Sequence, residues 1–287
     1  MASVSAPMQS VPVQTTRIDS APAIAVAHAG QGELVLFLHG IGGNKSNWSR
    51  QVSAFSGSFR AVAWDMRGYG DSDDYEGPLR FADVCDDILR VLHHFDAPAV
   101  HLVGLSMGGR VAFDFLDRHP QAVRSLTVCS ASHRASQMTP ERRAQFLASR
   151  LDPLRRGKSP VDIAPGVARS LLGPNATQEA YESLVASMSE LHVVGYAKAL
   201  EAVSSYEGGI ELERIAIPTH VVAAVDDPLV PLALLRAMAA RIPGAVLTEI
   251  GDCGHLSNLE RPEDFDAAVL GFLRRLPRES DATRAAR

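Results

Sequence analysis

The stretch His101–Leu116 reads HLVGLSMGGRVAFDFL and is the most informative part of this sequence. An apolar run ends at Ser106, and a helical pattern follows at once. Glycines stand on both sides of the serine, at Gly104 and Gly108. Two interpretations are open: a plain strand-to-helix turn, or a turn that holds one hydroxyl in the open. A G-x-S-x-G pattern between a strand and a helix is the context that a nucleophile elbow requires.

In a nucleophile elbow the serine takes a strained backbone conformation, and nearby glycines remove the Cβ atoms that would clash in so tight a turn. The helix that follows directs its N-terminal dipole and free N–H groups at the serine, which favours an oxyanion there. A serine hydroxyl is a poor nucleophile without a base and a group that orients the base. The two interpretations are therefore separated by whether an acid and then a histidine follow Ser106 along the chain.

One histidine and one aspartate stand out after the serine. His255 follows the last strand-like run in a glycine-flanked loop, GDCGHLSNLERP, just before the last helical pattern. The preceding strand-like run ends in AVDDPLVP, with Asp226 and Asp227 at its tip. A proline follows Asp227 and holds it extended as the chain leaves the sheet, so Asp227 is the preferred acid. Asp226 is the alternative, and Asp252 is a weaker one because it lies so near the histidine in the same loop.

Backbone N–H groups are expected to hold the oxyanion of the tetrahedral intermediate. One donor is the amide of Met107, directly after the serine, and the other comes from the loop after an early strand. That loop reads HGIGGN after the run LVLFL, and the amide of Ile41 is the expected second donor. Its glycines do not match a dinucleotide-binding motif, because the third glycine of that motif is missing.

Apolar runs of strand length alternate with helical patterns along most of the chain. The strand-like runs cover residues 34–38, 59–64, 100–105, 123–129, 219–225 and 245–250, and the helical patterns cover 81–95, 108–119, 232–241 and 262–276. This alternation predicts a mainly parallel sheet with helices on both faces. Residues from about 133 to 207 break the alternation because their pattern is helical throughout. We interpret them as an insertion over the end of the sheet where ligands bind, and surface helices without a binding role are the alternative.

Composition sets limits on the class of protein. The chain has 287 residues, of which 46% are hydrophobic, enough for one large core. A net charge of −5 gives no support to a nucleic-acid or anionic-membrane partner, and no apolar run is long enough to span a membrane. The N-terminus does not resemble a secretory signal, and three widely spaced cysteines are typical of reduced thiols, so we expect a cytoplasmic protein. Both ends, residues 1–13 and 278–287, are predicted to be flexible.

The motif series HGIGG, WDMRGYGDSD, GLSMGG, DDPLVP and GHLSNLERPEDF, in this order, resembles the α/β-hydrolase superfamily. The resemblance implies an α/β fold with an eight-stranded, mostly parallel sheet and a helical cap inserted after the sixth strand. We therefore expect a core in residues 1–132 and 208–287 and a cap in residues 133–207. The finer likeness is to 3-oxoadipate enol-lactonases and related carboxylesterases, because of the loop after the last strand and the pair Gly195-Tyr196.

Together the motifs predict a cofactor-free, metal-free serine hydrolase that cleaves a small ester or (enol-)lactone through an acyl-enzyme. Ser106 is the predicted nucleophile, His255 the general base, and Asp227 the acid that orients the base. Trp48 and Arg134 are candidate substrate-binding residues. Arg134 stands at the mouth of the cap, where it would pair with a substrate carboxylate, and a solvated surface arginine is the alternative.

Three other activities on the same fold stay open: a hydrolase of carbon–carbon bonds in ring-cleavage products, a cofactor-free perhydrolase, and a non-catalytic ligand receptor. Leu105 and Leu256 count against the first, because such enzymes tend to carry asparagine before the serine and tryptophan after the histidine. The expected partner is the small-molecule substrate. The oligomeric state is open, with a homodimer among the options.

Overall fold

A computed structural model describes residues 11–134 and 139–278. One sheet of eight strands has the order β1-β2-β4-β3-β5-β6-β7-β8. The strands are β1 (Gln14–Ile18), β2 (Ile24–Ala29), β3 (Leu34–Leu38), β4 (Arg60–Trp64), β5 (Val100–Leu105), β6 (Val123–Cys129), β7 (Thr219–Ala224) and β8 (Val246–Ile250). Strands β3 to β8 pair in parallel, whereas β1 and β2 pair antiparallel with their neighbours.

Helices cover the sheet and fill most of its connections. They are α1 (Ser49–Phe55), α2 (Phe81–His94), α3 (Met107–Arg118), α4 (Pro140–Arg155), α5 (Pro160–Arg169), α6 (Gln178–Ser189), α7 (Val193–Ser204), α8 (Leu232–Arg241), α9 (Ser257–Glu260) and α10 (Pro262–Arg274). Every residue of β3, β5 and β7 is buried, as expected for strands covered on both faces. None of the helices among the described residues is long and apolar enough to cross a membrane.

The predicted fold class is confirmed, and the six predicted strands lie where the sequence indicated to within a residue or two. Strands β1 and β2 have no counterpart among the predicted runs. β1 is a polar edge strand, QTTRI, that exposes most of its residues. β2 reads IAVAHA, and alanine is a poor strand former. The pairing of β1 with β2, and of β2 with β4, therefore depends on tertiary contacts that local patterning does not report.

Four helices, α4 to α7, lie between β6 and β7, and within the described part of this connection there is no strand. α5 packs on α6 and α4 packs on α7. We call α4–α7 the inserted helices; their assignment to a separate cap in residues 133–207 stays a prediction. Of the ends predicted to be flexible, residues 1–10 and 279–287 lie outside the described residues, as do 135–138 within the insertion.

Parallel strands place their carboxyl ends at one edge of the sheet. Ser106 follows β5, Asp227 follows β7, His255 follows β8 and Ile41 follows β3. Because β3, β5, β6, β7 and β8 are consecutive neighbours, these four residues lie along the same edge. Open parallel sheets bind their ligands there.

Candidate active site

Ser106 occupies the turn between β5 and α3 with φ 54° and ψ −114°. A positive φ is rare outside glycine and costs about 1–3 kcal/mol, which the surrounding structure must hold in place. The serine amide donates to the carbonyl of Cys129 at 2.9 Å. A Cβ on Gly108 would lie 2.1 Å from the carbonyl oxygen of Leu38, and one on Gly104 would lie 2.4 Å from that of Gly108. The turn has the form of a nucleophile elbow, with both glycines required by backbone contacts.

Asp227 and His255 form a buried pair. The Nδ1 atom of His255 lies 2.9 Å and 3.0 Å from the two carboxylate oxygens of Asp227. The side chain of His255 is 5% exposed and that of Asp227 is 0% exposed. The amides of Leu229 and Val230 donate to Oδ1 of Asp227 at 2.8 Å and 3.0 Å. With Nδ1–H donating to the carboxylate, Nε2 of His255 is the nitrogen left to accept a proton.

The carboxyl of Asp227 is tuned to remain ionised. Burial alone would raise its pKa, but the charge of His255, the hydrogen bond from that ring and the two backbone amides outweigh burial and lower the pKa from its ordinary value. An ionised Asp227 holds the histidine ring in one orientation and stabilises its charged form.

The other two candidate acids, Asp226 and Asp252, do not contact His255 through their side chains. Asp226 is exposed, and its backbone amide donates to the carbonyl of Cys253 at 3.1 Å. Asp252 is exposed as well, and its carboxylate accepts from Asn175 at 3.4 Å. Of the three aspartates considered from the sequence, Asp227 is the one that the structure brings to His255.

The two predicted oxyanion donors lie at the same cavity as Ser106. Met107 is the first residue of α3, so its N–H has no partner within the helix. Ile41 follows Gly40, where a Cβ would lie 3.1 Å from the Cβ of Ser106. The loop after β3 therefore runs close beside Ser106.

His39 fixes that loop, a role that the sequence analysis did not identify. Its Nε2 accepts from the amide of Met66 at 3.1 Å, which leaves Nδ1 to donate to the carbonyl of Gly40 at 2.9 Å. Burial lowers the pKa of His39, so the ring is neutral and keeps this tautomer. A histidine directly after a buried strand and before a glycine-rich loop was the available signal.

A cavity of about 170 Å³ opens at this edge of the sheet and is lined by both Ser106 and His255. Trp48, predicted as a substrate-binding residue, lines it and is 1% exposed. The inserted helices supply much of the apolar wall: Phe146, Val167, Leu184, Tyr196, Leu200 and Val203. Small apolar groups fit such a wall, while the polar groups lie at the sheet edge.

Arg134 is not among the residues that line this cavity, and its exposed side chain matches the alternative of a solvated surface arginine. Its side chain is exposed, its carbonyl accepts from the hydroxyl of Ser132 at 2.8 Å, and it packs beside Gly208. The arginines among the lining residues are Arg110, on α3, and Arg150, on α4. Neither was predicted from the sequence.

Glu260 connects the histidine loop, residues 251–256 around His255, to the inserted helices. The side chain is 2% exposed, and its carboxylate accepts from the amides of Gly254 at 3.0 Å and Leu256 at 3.1 Å, on either side of the histidine. It also accepts from the amide of Gly173, in the loop between α5 and α6, at 2.7 Å. The amide of His255 itself donates to the carbonyl of Leu171 at 2.8 Å.

Metal ligands are not grouped within residues 11–134 and 139–278: no cluster of three or more His, Cys, Asp or Glu is placed to hold an ion. Cys85, Cys129 and Cys253 are free and buried. Burial raises the pKa of each thiol, which keeps the three protonated.

Comparison with known proteins gives the family. The model of the alpha/beta hydrolase fold family matches residues 33–262. The chain belongs to the α/β-hydrolase fold family. The predicted resemblance and the predicted class of enzyme are thereby confirmed.

The relatives of this α/β-hydrolase act on several substrates. It is 27% identical over 260 residues to 3-oxoadipate enol-lactonase 2 of Acinetobacter baylyi, covering 88% of this chain and 94% of that protein. It is 26% identical to a poly(3-hydroxyalkanoate) depolymerase of Ectopseudomonas oleovorans, covering 91% and 92%. The solved structure of a thermophilic esterase from Thermogutta terrifontis matches with a TM-score of 0.81 and 27% identity, covering 91% of this chain and 98% of that one.

Proposed function

We propose that this hydrolase cleaves a small carboxylic ester or lactone through an acyl-enzyme formed on Ser106. The observation that carries the proposal is the buried Asp227–His255 pair at the cavity lined by the elbow serine. The similarity to an enol-lactonase and an esterase supports the bond type.

In the first half of the proposed reaction, the Oγ atom of Ser106 attacks the carbonyl carbon while Nε2 of His255 takes the hydroxyl proton. The carbonyl electron pair moves to oxygen, where the amides of Ile41 and Met107 donate to the resulting oxyanion. Loss of one such donor costs about 100- to 1000-fold in turnover. The intermediate collapses to an acyl-serine, and the leaving alkoxide oxygen takes the proton from His255.

In the second half, water attacks the acyl-serine while His255 removes its proton. Collapse of the second intermediate breaks the bond to Ser106, returns the proton to Oγ and releases the acid. Asp227 stays ionised throughout and stabilises the imidazolium. In a lactone the leaving oxygen remains part of the same molecule, so a simple lactone gives one hydroxy acid, and an enol-lactone gives an enol acid that tautomerises to the keto acid.

The test is a hydrolysis panel of short p-nitrophenyl esters, simple lactones and enol-lactones with the wild type and Ser106→Ala. We expect Ser106→Ala to abolish turnover and to keep the wild-type circular dichroism. Ser53→Ala is the matched control, because Ser53 lies on α1 and is exposed.

Near-full activity in Ser106→Ala would contradict the mechanism. A wild-type protein without a burst on any ester or lactone would favour a ligand receptor. Ser106-dependent halogenation that needs peroxide would favour a perhydrolase, and preferential cleavage of ring-cleavage diketones would favour a carbon–carbon hydrolase.

A further inference from the structure

Arg110 places a positive charge in the catalytic cavity one helical turn from the nucleophile. Its amide donates to the carbonyl of Ser106 at 3.3 Å, and its side chain lines the cavity. Nη1 donates to the carbonyl of Val203, on α7, at 2.6 Å, and Nη2 lies 3.5 Å from the hydroxyl of Ser132. A guanidinium has five N–H donors, so these two neutral acceptors leave most of its donors available.

Among the described residues, no acidic side chain pairs with Arg110. Other arginines of the core do have such partners. Arg67 donates to both oxygens of Asp87 at 2.6 Å and 2.9 Å, and Arg118, on the same helix as Arg110, donates to Asp114 at 2.6 Å. Arg110 thus differs from its neighbour on α3 in having only neutral partners.

A second arginine adds positive charge to the lining of the cavity. Arg150 lines it from α4, with Nη2 donating to the neutral hydroxyl of Ser170 at 3.1 Å. No Asp or Glu stands among the described residues that line the cavity. A buried charge is costly unless it is paired, and an arginine does not escape that cost by losing its proton. Burial lowers the pKa of Arg110, but the group stays charged at neutral pH.

We propose that Arg110 binds a carboxylate of the substrate, so that the preferred substrates are esters or lactones that carry a free acid group. The inference rests on the proposed function, because it places this acid relative to a carbonyl attacked by Ser106. Arginine suits the role because its planar fork donates two parallel hydrogen bonds to a carboxylate.

The size of the cavity limits the length of the substrate. Ser106 and Arg110 both line a cavity of about 170 Å³, so a short chain of carbons separates the attacked carbonyl from the bound acid. The acid group is expected on a compact substrate with a few carbon atoms between its two ends.

The experiment compares charged and neutral substrates of matched shape. Monomethyl succinate, glutarate and adipate are paired with methyl butanoate, pentanoate and hexanoate, which place a methyl group where the acid was. A second arm pairs 3-acetoxypropanoate with propyl acetate, and so distinguishes an acid on the alcohol side from one on the acyl side. Hydrolysis is followed by pH-stat at constant ionic strength, because surface charges respond to salt.

The wild type is compared with Arg110→Met, Arg110→Lys and the control Arg118→Met, which removes a charge from the same helix outside the cavity. We expect Arg110→Met to lower kcat/KM for the best acid ester by about 10- to 100-fold, the worth of a hydrogen bond to a charged group. Its neutral partner should change less than about threefold. Arg110→Lys should retain part of the preference, and Arg118→Met all of it.

An acid-to-neutral ratio of kcat/KM that is the same in Arg110→Met and the wild type would overturn the inference. A wild type that prefers the neutral partner in every pair would overturn it too, without any variant having to fold. If Ser106-dependent hydrolysis of neutral esters persists in either case, only the acid-binding role fails. If Ser106→Ala remains active, the proposed function fails instead.

Discussion

The elbow at the sheet edge and the inserted helices above it are held in different ways. The elbow is held by backbone contacts inside the core. The amide of Ser106 donates a hydrogen bond to the carbonyl of Cys129 on β6, and Gly108 lies against the carbonyl of Leu38 on β3. The inserted helices α4–α7 pack on the core through buried apolar side chains such as Leu184, Met188 and Leu200. At places that we call seams, a backbone segment of the insertion also touches a backbone segment of the core. The groups proposed for chemistry thus belong to the sheet, while much of the cavity wall belongs to the insertion.

Two of these seams are contacts between glycines. A Cβ on Gly195, in the first turn of α7, would lie 2.2 Å from the carbonyl oxygen of Gly68. A Cβ on Gly254, next to His255, would lie 2.3 Å from the amide nitrogen of Gly173. The difference between elbow and seams implies that substitutions at the elbow mainly damage the fold, whereas substitutions at the seams change the cavity as well as the stability.

The largest effect is expected from Gly108→Ala, which breaks the elbow. The added methyl would meet the Leu38 carbonyl, and neither β3 nor α3 has room to move, since both are buried in the core. We expect a loss of about 3 kcal/mol in the free energy of unfolding and loss of hydrolysis. Urea denaturation measures the first and ester turnover the second. If the free energy of unfolding falls by less than about 1 kcal/mol, the elbow accommodates an added methyl group as easily as a seam does.

The next prediction concerns the stability of the fold at low pH. His220 of β7 is 1% exposed, and burial lowers its pKa to about 4. Because the unfolded chain binds a proton near pH 6.5 and the folded one does not, stability falls as pH drops from about 6.5 towards 4. The loss between pH 7 and pH 4.5 is roughly 2–3 kcal/mol from this residue.

His220→Gln checks this assignment, because glutamine does not titrate. The free energy of unfolding is measured by urea at pH 7 and pH 4.5 in both proteins. The variant should lose about 2–3 kcal/mol less than the wild type over this range. Equal losses in the two proteins would assign the acid sensitivity to other groups.

The seam at the histidine loop is tested by Glu260→Gln. A carboxylate accepts from the amides of Gly173, Gly254 and Leu256, but a glutamine turns an NH₂ group towards at least one of them. We expect a loss of about 2 kcal/mol in the free energy of unfolding and a lower kcat, because the loop carries His255. The matched control is Glu263→Gln, whose carboxylate is 74% exposed and pairs with Arg50. Equal results for the two variants would remove Glu260 from any positioning role.

The sequence predicted the elbow and its neighbouring strands because their signals are local. Ser106, Met107 and the apolar run of β5 are adjacent in the chain, and the proline after Asp227 marks the turn at the end of β7. Local periodicity also predicted helices where α4–α7 lie. These features need no knowledge of which segments meet in space.

Long-range contacts explain what the sequence did not predict. Arg110 resembles a surface residue of an amphipathic helix, but its side chain is half-buried and donates to Val203 of α7, 93 positions later. Glu260 meets Gly173 across 87 positions. Arg134 was placed in the cavity by its position at the start of the insertion, but the chain turns there so that its side chain faces solvent beside Gly208.

A smaller and more local effect is expected from Gly195→Ala. The methyl would push the start of α7 away from Gly68, and the helix would carry Tyr196 and Val203 of the cavity wall with it. We expect the first turn of α7 to move, with a loss of about 1–2 kcal/mol in stability and a several-fold rise in KM. Steady-state kinetics on one neutral ester measure the change. An unchanged KM would mean that the wall does not depend on this contact.

The smallest effect, of opposite sign, is expected from Gly166→Ala on α5. A Cβ there has no heavy atom within 4 Å, and alanine favours a helix interior over glycine by about 1 kcal/mol or less. Urea denaturation should show a slight gain in stability, with kcat and KM unchanged. Gly166 and Gly195 both lie on inserted helices. If Gly195→Ala raises KM and Gly166→Ala leaves it unchanged, the cavity wall depends on the contact of α7 with the core. A loss of activity in Gly166→Ala would instead make the whole insertion sensitive to any added volume.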